Sequence, residues 1–358
     1  MYDNIGKGNS IASLLVYDND KKSNNLSNVK ITGSKSYVAG KPVLGIIGAG
    51  NFTGSTILPK LKSAGAQIKT IASSKGLSGS ILAKKYSIEN STTDYKAILA
   101  DTEINTVLVT TQHGSHSMFV SEALESDKHV FVEKPLSTTW EGLERVENAL
   151  EKSKGWVTVG FNRRFAPLAL ELKKCLSPAP MNIIATMNAG FIPPEVWVHN
   201  MKAGGGRIIG EACHFIDLCT YFTGFKVVKV CMNGLGPDAQ ANTDNASILL
   251  KYENGSNAVI NYFSNGSKSY SKERVEVHQQ NSTLVLDNWR KLSGFGVRGF
   301  KSKKSKQNKG HFNQFKQLLV SVEKSSGPTI PWDEVLNTSK ATLRAVDSLI
   351  QGKWISIK

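Results

Sequence analysis

Nowhere in the 358 residues does an apolar run approach the roughly 18 residues a bilayer-spanning helix needs, so no membrane partner is expected. The opening, Met1-Tyr2-Asp3-Asn4, lacks the basic-then-apolar pattern of a secretory signal, and a cytoplasmic protein is expected. Cysteine is scarce. The four, Cys175, Cys213, Cys219 and Cys231, form no C-x-x-C pair, which excludes a zinc knuckle or thioredoxin-like motif and leaves buried free thiols as the expectation. Acidic residues are outnumbered, 29 against 44 Lys and Arg, and the net charge of +15 favours anionic partners such as phosphorylated substrates. The densest basic run, Lys301, Lys303, Lys304, Lys306 and Lys309, has no aromatic residue alternating with its lysines. A nucleic-acid stacking surface is therefore not expected, and the run reads as a solvated loop.

What is present points to two domains, since a single core rarely grows past about 250–300 residues. Residues 1–40 stand apart: a short apolar stretch at 11–17 and a polar linker rich in Lys, Asn and Ser, which read as a lone strand and a tether. From Pro42 the pattern is regular. Apolar runs at 43–47, 68–72, 106–110, 129–132 and 156–159 alternate with helical patterns, at 55–64 (interrupted by Pro59) and at Trp140, Leu143, Val146, Ala149 and Leu150. Strands alternating with helices mean βαβ units, so residues 41–160 are expected to form an α/β Rossmann domain with a parallel, doubly wound sheet. The texture then changes. Segments 247–252, 257–263, 274–278 and 283–286 alternate like half-buried strands, Glu253-Asn254-Gly255 is a hairpin signal, and 310–349 is helical. Residues 161–358 are expected to form an α+β substrate and oligomerisation domain on a mostly antiparallel sheet.

Gly48-Ala49-Gly50-Asn51-Phe52-Thr53-Gly54 follows the first strand and opens the first helix. Gly48 allows the tight turn and Gly50 lets backbone approach a pyrophosphate, the context that makes a Gly-x-Gly a dinucleotide site. Thr53 stands where a third glycine usually permits close helix–strand packing. The second strand ends in Ser73-Ser74-Lys75, where an acid would normally bind the ribose hydroxyls of NAD. No carboxylate repels a 2′-phosphate there and Lys75 can attract one, so the cofactor is NAD or NADP with a lean to NADP.

Thr110-Thr111-Gln112-His113-Gly114-Ser115-His116, followed by Glu133-Lys134-Pro135-Leu136, resembles the paired signatures of the Gfo/Idh/MocA family (glucose-fructose oxidoreductase, inositol dehydrogenase and relatives). A subgroup match is carried by Gly160-Phe161-Asn162-Arg163-Arg164-Phe165, by residues 204–211, by Lys272-Glu273-Arg274-Val275-Glu276-Val277 and by Leu286-Asp287-Asn288-Trp289-Arg290. These resemble the second half of two-part proteins in which a zinc-type alcohol dehydrogenase is fused to such a module, associated with surface polysaccharide synthesis. Residues 2–17 look like the last strand of the missing half, which implies a separate zinc-type dehydrogenase partner. The resemblance also implies a homo-oligomer through the second-domain sheet.

By this resemblance the enzyme transfers a hydride between NAD(P) and a hydroxyl or ketone of a sugar or nucleotide sugar. Lys134 is then the base or proton relay beside the substrate hydroxyl, followed by a proline that admits an unusual peptide geometry. His214 is its acid/base partner. Relatives often carry an aspartate four residues before this histidine; here that position is Gly210, and Glu211 follows it. Glu211 is retained as a candidate catalytic carboxylate. Glu211-x-x-His214 also looks like half of a carboxylate–histidine metal site, but no second half is present and no metal is expected. Cofactor contacts are expected from Gly48, Gly50, Asn51, Phe52, Thr53, Ser73, Ser74, Lys75, Thr111, His113, His116, Glu133 and Lys134. His113 stands where many relatives have Asn. Substrate contacts are expected from Arg163, Arg164, His199, Arg207 and His214, with Lys202 as a further cation for an anionic group. Two rival outcomes remain: a redox-neutral enzyme that cleaves or eliminates a substituent with recycled cofactor, and a non-catalytic cofactor-binding partner subunit.

Overall fold

The computed structural model describes residues 27–357. The stretch at 11–17, and with it the segment resembling a dehydrogenase remnant, lies outside them. The first half condenses into a seven-stranded sheet: β1 (Asn28–Lys30), β2 (Val43–Ile47), β3 (Gln67–Ala72), β4 (Asn90–Thr92), β5 (Thr106–Val109), β6 (His129–Val132) and β7 (Val157–Val159), in the order β1-β4-β3-β2-β5-β6-β7. The strands β2 to β7 pair in parallel. Part of the polar tether is more than a tether, because β1 adds an antiparallel edge to β4. The helices on this sheet are α1 (Leu58–Ser63), α2 (Leu77–Tyr86), α3 (Lys96–Ala100), α4 (His116–Glu125) and α5 (Trp140–Lys152).

The unbroken apolar strands are explained by packing on both faces. Val107, Val109, Val130 and Val132 point to α4 and α5, through Val120, Leu124, Leu143 and Val146. Leu44, Ile46, Ile71, Leu108 and Phe131 point to the opposite layer, with Ile57, Leu58 and Leu61. Burying each such side chain stabilises the fold by about 1.5–3 kcal/mol. The helix expected over 55–64 begins instead as a wide i→i+5 turn at Thr53–Ile57 before α1. Pro59 does not break it: the helical run is continuous over 51–63, and the wide turn immediately before Pro59 relaxes the i→i−4 ladder at the residue that has no N–H.

The second half begins with α6 (Pro167–Lys174) and β8 (Asn182–Asn188), then α7 (Cys213–Thr223) and β9 (Val227–Gly234). It continues through β10 (Asn245–Tyr252), β11 (Asn257–Phe263), β12 (Glu273–Gln279), β13 (Ser282–Asp287), β14 (Lys291–Phe295) and β15 (Ser302–Lys304). The chain closes with α8 (His311–Glu323), α9 (Trp332–Gln351) and β16 (Ile355–Ser356). The nine strands run β15-β14-β13-β12-β8-β11-β10-β9-β16, with β8 and β11 the parallel pair among antiparallel neighbours. The Rossmann domain is thus followed by a more antiparallel α+β domain. One face of this sheet is buried under α6, α7 and α9, while the other carries Ile184 and Leu249 exposed.

The helices α8 and α9 do not stay with the second sheet. Phe315 and Leu318 pack on Leu108 and Phe131 of the first, and Ile330, Val335 and Leu343 join the core on its other face. Among the described residues no helix is long and apolar enough to cross a membrane. The thiols of Cys213 and Cys219 are buried as expected; Cys175 and Cys231 are only half-buried.

Candidate active site

In the first sheet β2 is flanked by β3 on one side and β5 on the other, the point where strand order reverses and ligands bind at carboxyl ends. The carboxyl end of β2 leads into Gly48, whose φ of +115° is open to glycine. A Cβ there would lie 2.7 Å from the Thr110 carbonyl carbon, so backbone passes backbone where no side chain fits. A Cβ on Gly50, by contrast, would meet nothing within 4 Å, leaving room for a ligand against the turn. Thr53 is accommodated in place of glycine by a hydroxyl chain: its Oγ1 donates to Thr110 Oγ1 (2.9 Å), which donates to the Gly48 carbonyl (2.9 Å). These residues fit the diphosphate of a dinucleotide. At the end of β3, Ser74 and Lys75 are exposed, whereas Ser73 is buried and accepts from the Gly79 amide (3.1 Å). The Ser73 side chain therefore belongs to the start of α2 and not to a ligand surface.

From this rim a cleft of about 410 Å³ runs between the two sheets, a size suited to a small ligand. Its walls include Phe52, Thr111, His113, His116, Glu133 and Lys134 from the first domain. The second half contributes Arg163, Trp197, Glu211, His214, Lys272, Glu273, Lys309 and His311, among others. Lys134 follows β6, its peptide bond to Pro135 is cis, and its Nζ donates to the Gly210 carbonyl (2.8 Å). Where an aspartate is common in relatives, a backbone carbonyl thus receives the lysine. Glu133 is pushed up to about 7 by burial, against the opposing pull of Lys134.

Three histidines on the first-domain side and opposite it are held neutral. His113 is pushed down to about 3, first by burial and then by Lys134. Its Nδ1 lies 2.8 Å from the Gly204 carbonyl, so in the neutral ring that nitrogen carries the proton. His116 is fully buried, with Nδ1 2.7 Å from the Pro135 carbonyl and Nε2 3.1 Å from that of Thr111, and burial lowers its pKa. Neutral, the ring has one N–H to donate, and the shorter contact, from Nδ1 to Pro135, ties the start of α4 to the turn after β6. His214 is lowered well below the usual imidazole value by burial, with Arg163 and Lys134 adding to the shift, and its Nδ1 has no hydrogen-bond partner. Glu211 is the opposite case. Burial alone would raise it, but Lys134 and Arg207 outweigh burial and keep it below the usual carboxylate range.

Several expected substrate contacts are corrected. Arg164 does not line the cleft: its guanidinium is consumed by Asp217 (2.7 and 3.0 Å) and Glu334 (2.9 Å), with Asp217 buried. Arg207 also lies outside the lining, bonded to the Gly190 carbonyl, Asp244 and Glu211. His199 packs its Nε2 3.2 Å from the Ile192 carbonyl, and Lys202 is exposed away from the cleft. Arg163 does line the cleft, but as the bidentate partner of buried Glu273 (2.9 and 3.0 Å). The reading of Lys309 as part of a solvated loop is also corrected, because its Nζ bonds Glu273 at 2.6 Å inside the cleft. Trp289 Nε1 donates to the same carboxylate (2.6 Å). Glu273 and Trp197 are further site residues; the sequence signal for Glu273 is its parity with Val275 and Val277, a charge on the inward face of β12.

Comparison with known proteins agrees with this geometry. A family model described as an oxidoreductase family with an NAD-binding Rossmann fold matches residues 43–161, and the GFO/IDH/MocA C-terminal domain matches residues 180–285. The chain is 24% identical over 258 residues to an inositol 2-dehydrogenase of Rhizobium meliloti, covering 70% of this chain and 76% of that protein. An oxidoreductase domain protein from Kribbella flavida superposes with a TM-score of 0.78 at 20% identity, covering 89% of this chain and 99% of the other. A levoglucosan dehydrogenase solved with NADH and levoglucosan gives 0.77 at 18% identity, covering 88% and 99%. The protein belongs to the Gfo/Idh/MocA family of NAD-binding oxidoreductases.

Proposed function

We propose that the cleft oxidises a secondary hydroxyl of a sugar or polyol, or reduces the corresponding ketone. The observation that carries this reading is the meeting of Lys134, His214 and Glu211 in one cleft with the Gly48–Gly50 turn at its rim. The names of similar proteins, inositol 2-dehydrogenase and levoglucosan dehydrogenase, point to the same substrate class. Gly48, Gly50, Asn51, Phe52 and Thr53 hold the cofactor's diphosphate, with Thr111, His113, His116 and Glu133 around the nicotinamide end. When bound, the nicotinamide accepts or returns the hydride.

The chain's own residues handle the proton. His214, kept neutral by burial and lining the cleft, takes the hydroxyl proton. Lys134, aimed by its bond to Gly210, donates to the oxygen that gains charge and relays the proton outward. Glu211, kept ionised, holds the field that favours a protonated partner beside it. For the ribose end the reading is that Ser74 and exposed Lys75 admit a 2′-phosphate, so NADP binds at least as well as NAD.

The test begins by denaturing the purified protein, identifying released nucleotide by mass spectrometry, and titrating NAD and NADP separately. A panel of sugars and polyols is then assayed at 340 nm. Binding of neither nucleotide would sink the reading. Ser74→Asp should shift preference toward NAD; an unchanged ratio would remove Ser74 and Lys75 from the choice.

A further inference from the structure

At the end of the cleft where α8 begins, positive charge exceeds negative. Arg163 and Lys309 both bond the single carboxylate of Glu273. Lys272 lines the same end, is exposed, and has no carboxylate partner within ion-pair distance among the described residues. Three cations therefore face one carboxylate. The first residue of α8, His311, also lines the cleft, and its N-cap is Gly310, which brings no side-chain cap. The first amide groups of a helix have no intrahelical acceptor and together carry partial positive charge. His214, 7% exposed, lines the same cleft, with its Nδ1 turned inward and unpartnered. None of Lys272, Lys309 and His311 takes part in the proton handling described above.

We propose that this end is a substrate subsite for an anionic oxygen group: the hydroxyl compound taken by the cleft carries a carboxylate or phosphate, held by Lys272, Lys309 and the first turn of α8. The proposal rests on the cleft being the site of hydride transfer. Helix amides and lysines both favour such a group. Excess cationic charge would gain nothing from a neutral sugar. Glu273 sets the geometry, since it holds Arg163 and Lys309 in place and leaves Lys272 without a partner.

The probe is inorganic phosphate, titrated calorimetrically into NADH-loaded protein, with sodium chloride at matched ionic strength as reference. Saturable phosphate binding is expected, weakened about tenfold in Lys272→Ala. Lys301→Ala, in the basic run that contains Lys309 but outside the cleft, should bind as the wild type does. Competition of the bound phosphate by D-glucuronate or by D-glucose 6-phosphate, and not by D-glucose, then tells whether a carboxylate or a phosphate fits. Phosphate heats no larger than the chloride reference would overturn the proposal while leaving NADH binding, and so the oxidoreductase reading, intact. So would a Lys272→Ala variant that loses affinity for NADH but not for phosphate, because the cations would then serve the cofactor.

Discussion

Gly210 and His113 occupy each other's space. A Cβ on Gly210 would come within 2.7 Å of the His113 ring carbon Cε1, and that ring is buried and tied to Gly204. Gly210→Ala should therefore destabilise the fold by about 1–3 kcal/mol through overpacking. The double variant with His113→Asn should recover most of that loss, a non-additivity that urea denaturation can read. Lys134→Ala should keep NADH affinity and lower kcat by about 10²–10⁴-fold, read from nucleotide titration beside steady-state rates. Full turnover would remove Lys134 from the proton path. Glu273 is a residue of stability: burial would raise its pKa, yet Arg163 and Lys309 pull it down to about 2 from 4.5. A depressed carboxyl contributes stability that is complete above its unfolded value and is lost as pH falls through its folded value. The melting temperature of the wild type should therefore drop between about pH 4.5 and 2 by more than that of Glu273→Gln. At neutral pH that variant should be less stable by roughly 3–5 kcal/mol, since it leaves buried cations uncompensated.

At the scale of elements, the first domain's share of the site comes from strand ends, whereas Glu211, His214 and His311 come from helical segments of the second half. The turns after β2, β5 and β6 supply Gly48, Thr110 to His116, and Glu133 with Lys134, and these sit together because the three strands are parallel neighbours. Gly48→Ala should weaken NADH binding at least about tenfold and lower the melting temperature, because its Cβ would meet Thr110 backbone and φ is positive. Unaltered cofactor affinity in that variant would show the turn is not the cradle. Sequence spacing could show that Thr53 departs from the pattern, but the hydroxyl chain through Thr110 joins residues 57 apart and appears only on folding.

Over the whole molecule, the chain crosses back on itself. Phe315 and Leu318 complete the core under Leu108 and Phe131, so the first sheet depends on helices encoded after the second. Phe315→Ala should cost roughly 3–5 kcal/mol and lower NADH affinity at elevated temperature together with the melting point. A variant that melts in two steps, with cofactor binding unaffected, would show that the two layers fold independently.

The parallel strands, the glycine turn and the Glu133-Lys134-Pro135 signature were legible because local periodicity and short contiguous motifs carry them. So were the doubly wound first domain and the antiparallel second. Which cations serve the cleft was not legible, because that depends on pairing across distances of 36 to 170 residues. Arg164 is spent on Asp217 and Glu334, whereas Lys309, outwardly one lysine of a solvated run, is drawn in by Glu273. The linear order of residues suffices for strand, turn and the Glu133-Lys134-Pro135 motif, since each is set by neighbours a few positions away. The charge of the cleft was decided by tertiary packing alone, since a buried carboxylate selects its partners by proximity in space.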